Sequence, residues 1–533
     1  MTRNLKNISG INGKKSVSSV FYEGGEWMKL TRNTKLLLLV INIILNIILR
    51  FQVVPNEIFP DSVSMHIMVN SINEFGYARW WLHPLSIFGL FPASYTSTMQ
   101  FFLSGVSQCT GIEVRWTIFL YCEFIGLLSM FTAYLLAGKI INDDVFKILV
   151  AFIFSTSPAV LGYTTWTIPT RGLLVILAPL LIYILLKCRT SIKYVPLFFL
   201  LAFFLFATHH LFYFLLPAFF AFLLLSICFK LRHYINIKIS EKINPIMSIS
   251  GFVSMFSIPV LTGHFIGYSR YDPLWTFYVR YMGILLIFSF GGIVYLIFKK
   301  DKDFKEWFIL LTLIMLTTFI YNQTYMKWFL PVFAAPLAGM GLRNIIRISE
   351  KRKYMLITII LLSALSFSAY YQFIHFLPST KESPIHPRYT EESTYKIGRW
   401  MKEYIVNGSA ISNDGLFGGR VFAASETTHF LIGSTVNDYI YGFINVDLSK
   451  FKRYPLTEEA FWFEGYKGPD PGEAAWSSVN KLHRSPSEYN IAYVVENKKA
   501  NGYIIWHHKN IPSKLLQFAH KKDCIYDLSL IHI

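Results

Sequence analysis

Pro55-Asn56-Glu57-Ile58-Phe59-Pro60-Asp61-Ser62-Val63-Ser64-Met65-His66 opens a polar stretch, residues 55–114, that separates the first long apolar run of this chain from the second. Acids at the very end of an apolar run are costly beside hydrocarbon, so they call for a partner or a function. The stretch continues as an amphipathic run to Gly76. Val63, Ile67, Met68 and Ile72 predict the apolar stripe of a helix lying along the membrane surface. Arg79-Trp80-Trp81 and His83-Pro84 follow, and a second surface helix is predicted near residues 93–109.

On both sides of this stretch the chain is apolar. Its 533 residues are 53% hydrophobic, 17% aromatic and only 15% charged, where a soluble chain carries about 25% charged residues. Long apolar runs recur from residue 35 to residue 374 and predict a polytopic α-helical membrane protein. About eleven transmembrane helices are expected, near 35–54, 115–137, 145–163, 171–187, 194–209, 211–229, 246–266, 279–298, 306–322, 328–342 and 354–374. The fifth and sixth read alternatively as a broken or re-entrant pair around His209-His210.

The net charge of +18 raises nucleic acid as a partner, and the placement of the charges removes it. With the N-terminus in the cytoplasm, the cytoplasmic segments carry 25 Lys/Arg, and the outer loops up to residue 374 carry six: Arg79, Arg115, Arg171, Arg270, Arg280 and Lys327. Basic residues collect on the cytoplasmic side of membrane proteins, so the excess reads as topogenic. No basic domain remains to bind nucleic acid. Cys109, Cys122, Cys188, Cys228 and Cys524 are scattered without a CxxC, which points to neither a disulfide framework nor a zinc site.

Residues 1–33 read as a cytoplasmic tail without a cleavable leader, with Met28 as an alternative start. Residues 34–377 form the expected membrane domain. Residues 378–533 are polar, with 18 Lys/Arg against 17 Asp/Glu, and an odd span count puts them outside the cell. In that tail the patterning predicts helices over 390–406 and 512–521 and strands over 489–495 and 524–533, which makes a small extracytoplasmic α/β domain. The expected location is the plasma membrane, crossed many times.

Polar features that topology leaves unexplained gather on the outer face. They are Glu57 and Asp61, His66, the loop Gly162-Tyr163-Thr164-Thr165-Trp166-Thr167-Ile168-Pro169-Thr170-Arg171, His209-His210, Arg270, Arg280, and Lys327-Trp328. An acid among cations suits transfer of a sugar from a lipid phosphate to a hydroxyl. A carboxylate takes the acceptor proton, guanidinium forks hold the departing phosphate, and aromatic rings such as Tyr163 and Trp166 stack on sugar faces. Blander roles stand beside these. Arg171 and Lys327 snorkel or anchor spans, the tryptophans belong to an interfacial belt, the histidines are packing residues, Asp61 caps a helix beginning at Ser62, and Glu57 is a solvated acid.

At these residues the chain resembles the GT-C superfamily of membrane glycosyltransferases, which includes protein O-mannosyltransferases, aminoarabinose transferases and oligosaccharyltransferase catalytic subunits. The resemblance lies in the layout and in short motifs: Asp61 to His66, Asn73-Glu74-Phe75-Gly76 and Thr110-Gly111 in the first loop, Trp166-Thr167-Ile168-Pro169-Thr170-Arg171-Gly172, and Lys327-Trp328-Phe329-Leu330-Pro331. It implies a GT-C-like fold and transfer of a sugar from a polyprenyl-phosphate donor, such as a dolichol phosphate, to a protein, lipid or glycan acceptor. Asp61 matches the acid of the family's first loop as general base or metal ligand. Glu57, His66, Trp166, Arg171, His209, His210, Arg270, Arg280 and Lys327 are then candidates for binding substrate. A divalent cation, Mg or Mn, is an optional cofactor.

The chain also departs from the family. Residues 162–170 hold no acid, Trp462-Phe463-Glu464-Gly465 is a poor counterpart of a WWDYG-type motif, and Asp61 lacks an adjacent Glu. These differences point to a single sugar leaving a lipid monophosphate. The competing readings are a transporter or lipid-linked glycan flippase, and an O-antigen-type polymerase or ligase.

Overall fold

A computed structural model describes residues 30–51, 54–78, 81, 83–90, 95–235, 281–299, 301–320, 329–348 and 353–376, a few positions between 246 and 253, and short pieces beyond residue 388: 389–390, 392–404, 409–412, 420, 423–425, 429–432 and 491–495. The architecture is helical. In chain order come α1 (Arg32–Arg50), α2 (Phe59–Phe75), α3 (Thr98–Thr110), α4 (Val114–Ile140), α5 (Asp144–Ser155), α6 (Pro158–Thr164), α7 (Thr170–Cys188), α8 (Tyr194–Thr208), α9 (Leu216–Ile235), α10 (Leu286–Phe298), α11 (Phe304–Ile320), α12 (Leu330–Ile348), α13 (Lys353–Phe376) and α14 (Glu392–Tyr404). Among the described residues four helical stretches are long and apolar enough to cross a membrane: Arg32–Arg50, Val114–Ile140, Thr170–Cys188 and His210–Leu231. The α5–α6 pair, bent by 58° at its break, makes a fifth if it counts as one span. Shorter apolar helices cover Tyr194–Thr208, Gly283–Phe298, Leu330–Ile346 and Ile357–Tyr370. Most of the expected span at 246–266 lies outside the described residues.

The bend between α5 and α6 follows from sequence. Pro158 occupies the first turn of α6 and has no N–H to continue the ladder of α5. The core is built around α4, which packs on α5 and α7, while α7 packs on α8, α9 on α11, and α12 on α5 and α10. At the last crossing α10 meets α12 backbone to backbone. A Cβ at Gly292 would fall 2.0 Å from the Leu337 carbonyl oxygen, the close approach that small residues permit between apolar helices.

Arg50 ends α1 but does not snorkel outward, because it is 1% exposed. Its Nε donates to Thr164 Oγ1 at 2.7 Å, Nη2 to the Ser155 carbonyl at 2.7 Å and Nη1 to Asn46 Oδ1 at 2.8 Å. Asn46 in turn donates to Asn42 Oδ1 and Ser155 Oγ, each at 3.0 Å. The bend leaves the end of α5 free to accept from this guanidinium. The room for Arg50 is made by Gly126, where a Cβ would lie 2.1 Å from Arg50 Nε. Gly126→Val is therefore expected to expel the guanidinium from its partners and to cost about 3 kcal/mol or more. Thermal melting of the detergent-solubilised chain checks this, and an unchanged midpoint refutes it.

Both helices predicted in the first loop form, at Phe59–Phe75 and Thr98–Thr110. The predicted stripe of α2 is buried, but so are Met65, His66, Val69, Asn70 and Ser71. Between its exposed ends, at Asp61 and Glu74, this helix is mostly enclosed by protein. α3 covers one side, where Gln100 Nε2 approaches Met65 Sδ at 3.2 Å and Ser104 Oγ donates to Asn73 Oδ1 at 2.7 Å. A segment far along the chain covers another, where Asn70 Nδ2 donates to the Ala423 carbonyl at 2.7 Å. One sequence explains both contacts: polar residues at positions 70 and 73 answer partners that a solvent-facing helix would not need.

Beyond the membrane helices, α14 occupies most of the helix predicted over 390–406. Three short strands, β1 (Ser409–Ser412), β2 (His429–Ile432) and β3 (Ile491–Val495), form a parallel sheet in the order β2-β1-β3. β3 falls on the strand predicted at 489–495. The helix predicted at 512–521 and the strand at 524–533 lie outside the described residues.

Candidate functional site

Two backbone-level contacts bring the opening loop against the run that precedes α7. Ile58 N–H donates to the Trp166 carbonyl at 2.8 Å, and Ile168 N–H donates to Ser62 Oγ at 3.1 Å. Together they set the first turn of α2 beside the first turn of α7. Asp61 sits in the first, Arg171 in the second, and Arg171 Nη2 donates to Asp61 Oδ2 at 2.6 Å. The pair is open to solvent, with Asp61 52% and Arg171 24% exposed at the side chain. Asp61 does not cap the helix. α2 begins at Phe59, and its N-cap residue is Ile58, without a side-chain cap. An acid in the first turn instead complements the positive end of the helix dipole.

Around this pair stand other predicted residues. The Arg171 guanidinium lies 5.7 Å from the centroid of the buried Tyr163 ring. The His209 and His210 rings lie 4.2 Å apart between centroids, tilted by 34°, where α8 gives way to a short turn of 3-10 helix, and both lie within reach of the Arg171 charge. His209 is buried, and its Nδ1 accepts from Leu211 N–H at 3.0 Å. That bond assigns the remaining proton of a neutral ring to Nε2. His210 is exposed. Tyr281, which the sequence reading did not single out, is buried beside the same group within reach of Tyr163.

Trp166 is brought near but does not present a face to a sugar. It is fully buried, with its ring 5.0 Å from Phe119 and 6.2 Å from Trp116 between centroids. Its backbone is left-handed at φ 51°, a conformation that costs an L-residue roughly 1–2 kcal/mol. The buried ring and the Ile58 hydrogen bond hold it there. Arg270, Arg280 and Lys327 lie outside the described residues, as does Trp80.

Glu57 and His66 form a second group, closed to solvent. Glu57 is 0% exposed and His66 1%, so Glu57 is not a solvated acid. Its Oε2 accepts from the Tyr395 hydroxyl at 2.7 Å, and its Oε1 lies 3.3 Å from His66 Nδ1 and 3.4 Å from the Thr390 hydroxyl. The backbone joins in. Thr390 N–H donates to the Glu57 carbonyl at 3.0 Å and Asn56 Nδ2 to the Thr390 carbonyl at 2.8 Å. Beside them Arg115 donates to Glu392 Oε2 at 2.6 Å and stacks 4.5 Å from the Tyr395 ring, while Arg399 approaches Glu113 Oε2 at 3.4 Å. Glu392, Tyr395 and Arg399 occupy one face of α14, at the spacing of successive helical turns. Glu57 is thus a latch between the opening loop and α14, placed just ahead of Asp61. No local pattern marked Tyr395 as its partner.

Burial acts to raise the Glu57 pKa, but the hydrogen bond and charge of His66 and the bond from Tyr395 outweigh it, so the carboxyl is held below its usual range. A carboxyl with a depressed folded-state pKa contributes stability above its unfolded value, about 4.3. That contribution is lost as pH falls through the lower folded value. Melting temperature is therefore expected to drop on acidification below roughly pH 4.5, and Glu57→Gln is expected to remove that part of the pH dependence. Parallel melting curves for the two proteins across this range refute the assignment.

The optional divalent cation finds no ready ligand set. Among the described residues no three His, Cys, Asp or Glu side chains converge to hold a metal. Asp61, the exposed acid of the site, already meets a guanidinium with one oxygen. The described residues thus present no preformed divalent-ion site, and the chemistry below is written for their side chains alone.

No protein-family model matches the chain, and no curated protein matches it. Among solved structures it is similar to an Archaeoglobus fulgidus oligosaccharyltransferase in complex with Zn and sulfate. The likeness has 12% identity and a TM-score of 0.49, over 86% of this chain and 68% of that one.

Proposed function

We propose that this chain is a membrane glycosyltransferase that moves a sugar from a polyprenyl-phosphate donor to a hydroxyl acceptor, in a membrane domain of about eleven spans with its site and C-terminal domain on the outer face. The observation that carries this reading is the solvent-open Asp61–Arg171 pair at 2.6 Å, set between the N-terminal turns of two long helices. Helix N-termini and a guanidinium both favour a phosphate. The donor phosphate takes up Arg171, which frees the Asp61 carboxylate. Asp61 then accepts the acceptor's O–H proton as the acceptor oxygen bonds to the anomeric carbon. The sugar–phosphate C–O bond breaks, and the departing polyprenyl phosphate keeps its electron pair and its negative charge against Arg171. His210, which is exposed, is a candidate to contact the phosphate or the acceptor. The lone acid favours one sugar per transfer.

The test is reconstitution of the full chain in liposomes with labelled polyprenyl-phosphate sugars and a mixture of peptide, lipid and glycan acceptors. Label is expected in an acceptor. Arg171→Gln is expected to weaken donor binding by roughly ten- to a hundredfold, the worth of a charge-assisted hydrogen bond. Movement of intact labelled lipid across the bilayer without transfer overturns the proposal in favour of a flippase.

A further inference from the structure

The helix that carries Arg171 at one end carries a different set of charges at the other. α7 closes with Lys187 in its last turn, and Arg189 follows as its C-cap. The Arg189 guanidinium lies 4.1 Å from the centroid of the Phe304 ring and 5.4 Å from that of Phe229. Next to Phe304, Lys305 Nζ donates to the Ile140 carbonyl at 3.2 Å, closing the end of α4. Lys139 is the residue before that carbonyl, and the charges of Lys187, Lys305 and Arg189 act on it. Four cations from the ends of α4 and α7 and the start of α11 thus converge.

The acids nearby are engaged elsewhere. Asp143 pairs with Arg343 at 3.4 Å, Asp144 with Lys35 at 3.0 Å and Lys147 at 2.8 Å, and Glu306 with Lys299 at 2.5 Å. Asp303 reaches Lys305 only at 3.8 Å, and Asp301 is exposed with no ion pair among the described residues. Topogenic charge explains why this end is basic; the contacts of Lys305 with the end of α4 and of Arg189 with Phe304 further draw these cations to one place. Two helix C-termini supply about half a negative charge each, and Asp303 supplies one more. About two positive charges remain without a counter-ion among the described residues. Aromatic side chains line the group: Phe229 and Phe304 under Arg189, and Tyr183 and Tyr194 at 5.5 and 5.6 Å from Lys187.

We infer that Lys139, Lys187, Arg189 and Lys305 form a binding site for a phosphate ester at the end of the helical domain opposite Asp61, with the aromatic rings beside it suited to the glycerol and upper acyl region of an anionic lipid. Basic pockets between membrane helices are a general means of holding anionic headgroups. This site is independent of the sugar-transfer reading.

The experiment is native mass spectrometry of the detergent-solubilised full chain titrated with phosphatidylglycerol, phosphatidylcholine or inorganic pyrophosphate. Retention of phosphatidylglycerol over phosphatidylcholine is expected. The triple variant Lys139→Gln, Lys187→Gln, Arg189→Gln is expected to weaken it by about a hundredfold, at roughly the contribution of one basic side chain near an anionic surface for each substitution. Arg189→Gln alone, at an exposed position, is expected to show a smaller loss and guards against misfolding of the triple variant. Lys147→Gln, which removes a cation already paired with Asp144, is expected to leave retention unchanged. Retention of pyrophosphate with the same sensitivity to these substitutions assigns the site to a soluble phosphate. Equal retention of both lipids and no pyrophosphate, or a preference that survives the triple and single variants, overturns the inference.

Discussion

Asp61→Asn is expected to slow sugar transfer at least a hundredfold at saturating donor, with little change in donor binding or in the amount of folded protein. Asparagine keeps the size of the side chain and an oxygen that accepts from Arg171, but it cannot take a proton. A positioned general base contributes roughly 10²–10⁴ in rate. Loss of the ion pair itself does not account for such an effect. With Asp61 52% exposed, a pair of this kind contributes only about 0–1 kcal/mol to stability. Single-turnover transfer measured beside donor binding separates the two: a rate within a few-fold of the original removes Asp61 from the mechanism, and a loss confined to donor affinity makes it a binding residue only.

The second large effect is expected at the latch. Glu57→Ala removes the acceptor of the Tyr395 hydroxyl and leaves His66 and Thr390 facing an empty, buried space. Breaking a buried charged group's network in this way costs about 3–5 kcal/mol. Tyr395→Phe removes one hydrogen bond to a charged acceptor and is expected to cost about 1.5–3 kcal/mol. The two changes share a partner, so together they are expected to cost less than their sum. Thermal melting of the full chain measures all three, and limited proteolysis between α13 and α14 reports whether α14 has come away. A Glu57→Ala protein that melts and resists protease like the original shows that the latch does not hold this segment.

Much of this arrangement was legible in sequence because it depends on local pattern. The two helices of the opening loop, the break at His209-His210 and the strand at 491–495 each follow from residues close in the chain. Asp61 and Arg171 were each singled out as a charge at the end of an apolar run, and the fold sets the two side by side. What escaped were contacts whose two halves lie hundreds of residues apart. Nothing near Tyr395 says that its hydroxyl meets Glu57, and nothing near Ala423 says that its carbonyl meets Asn70. The same blindness misjudged exposure. Trp166 looked like an interfacial ring or a sugar platform, and α2 looked like a surface helix, because the covers that bury them come from other parts of the chain. Gly126 gave no sign in sequence that it makes room for Arg50.

That pocket has a consequence for how the protein is made. α1 emerges from the ribosome before α5 and α6, carrying Asn42, Asn46 and Arg50, and Ser155 and Thr164 come 105 and 114 residues after Arg50. At a synthesis rate of about 5–20 residues per second, the guanidinium waits several seconds or more for its acceptors. During that time its long stem lets the charge stay at the water boundary. It can turn inward only when α5 and α6 have been inserted with their bend already in place. α1 therefore reaches its final depth only after α5 and α6 are in place, well after its own synthesis.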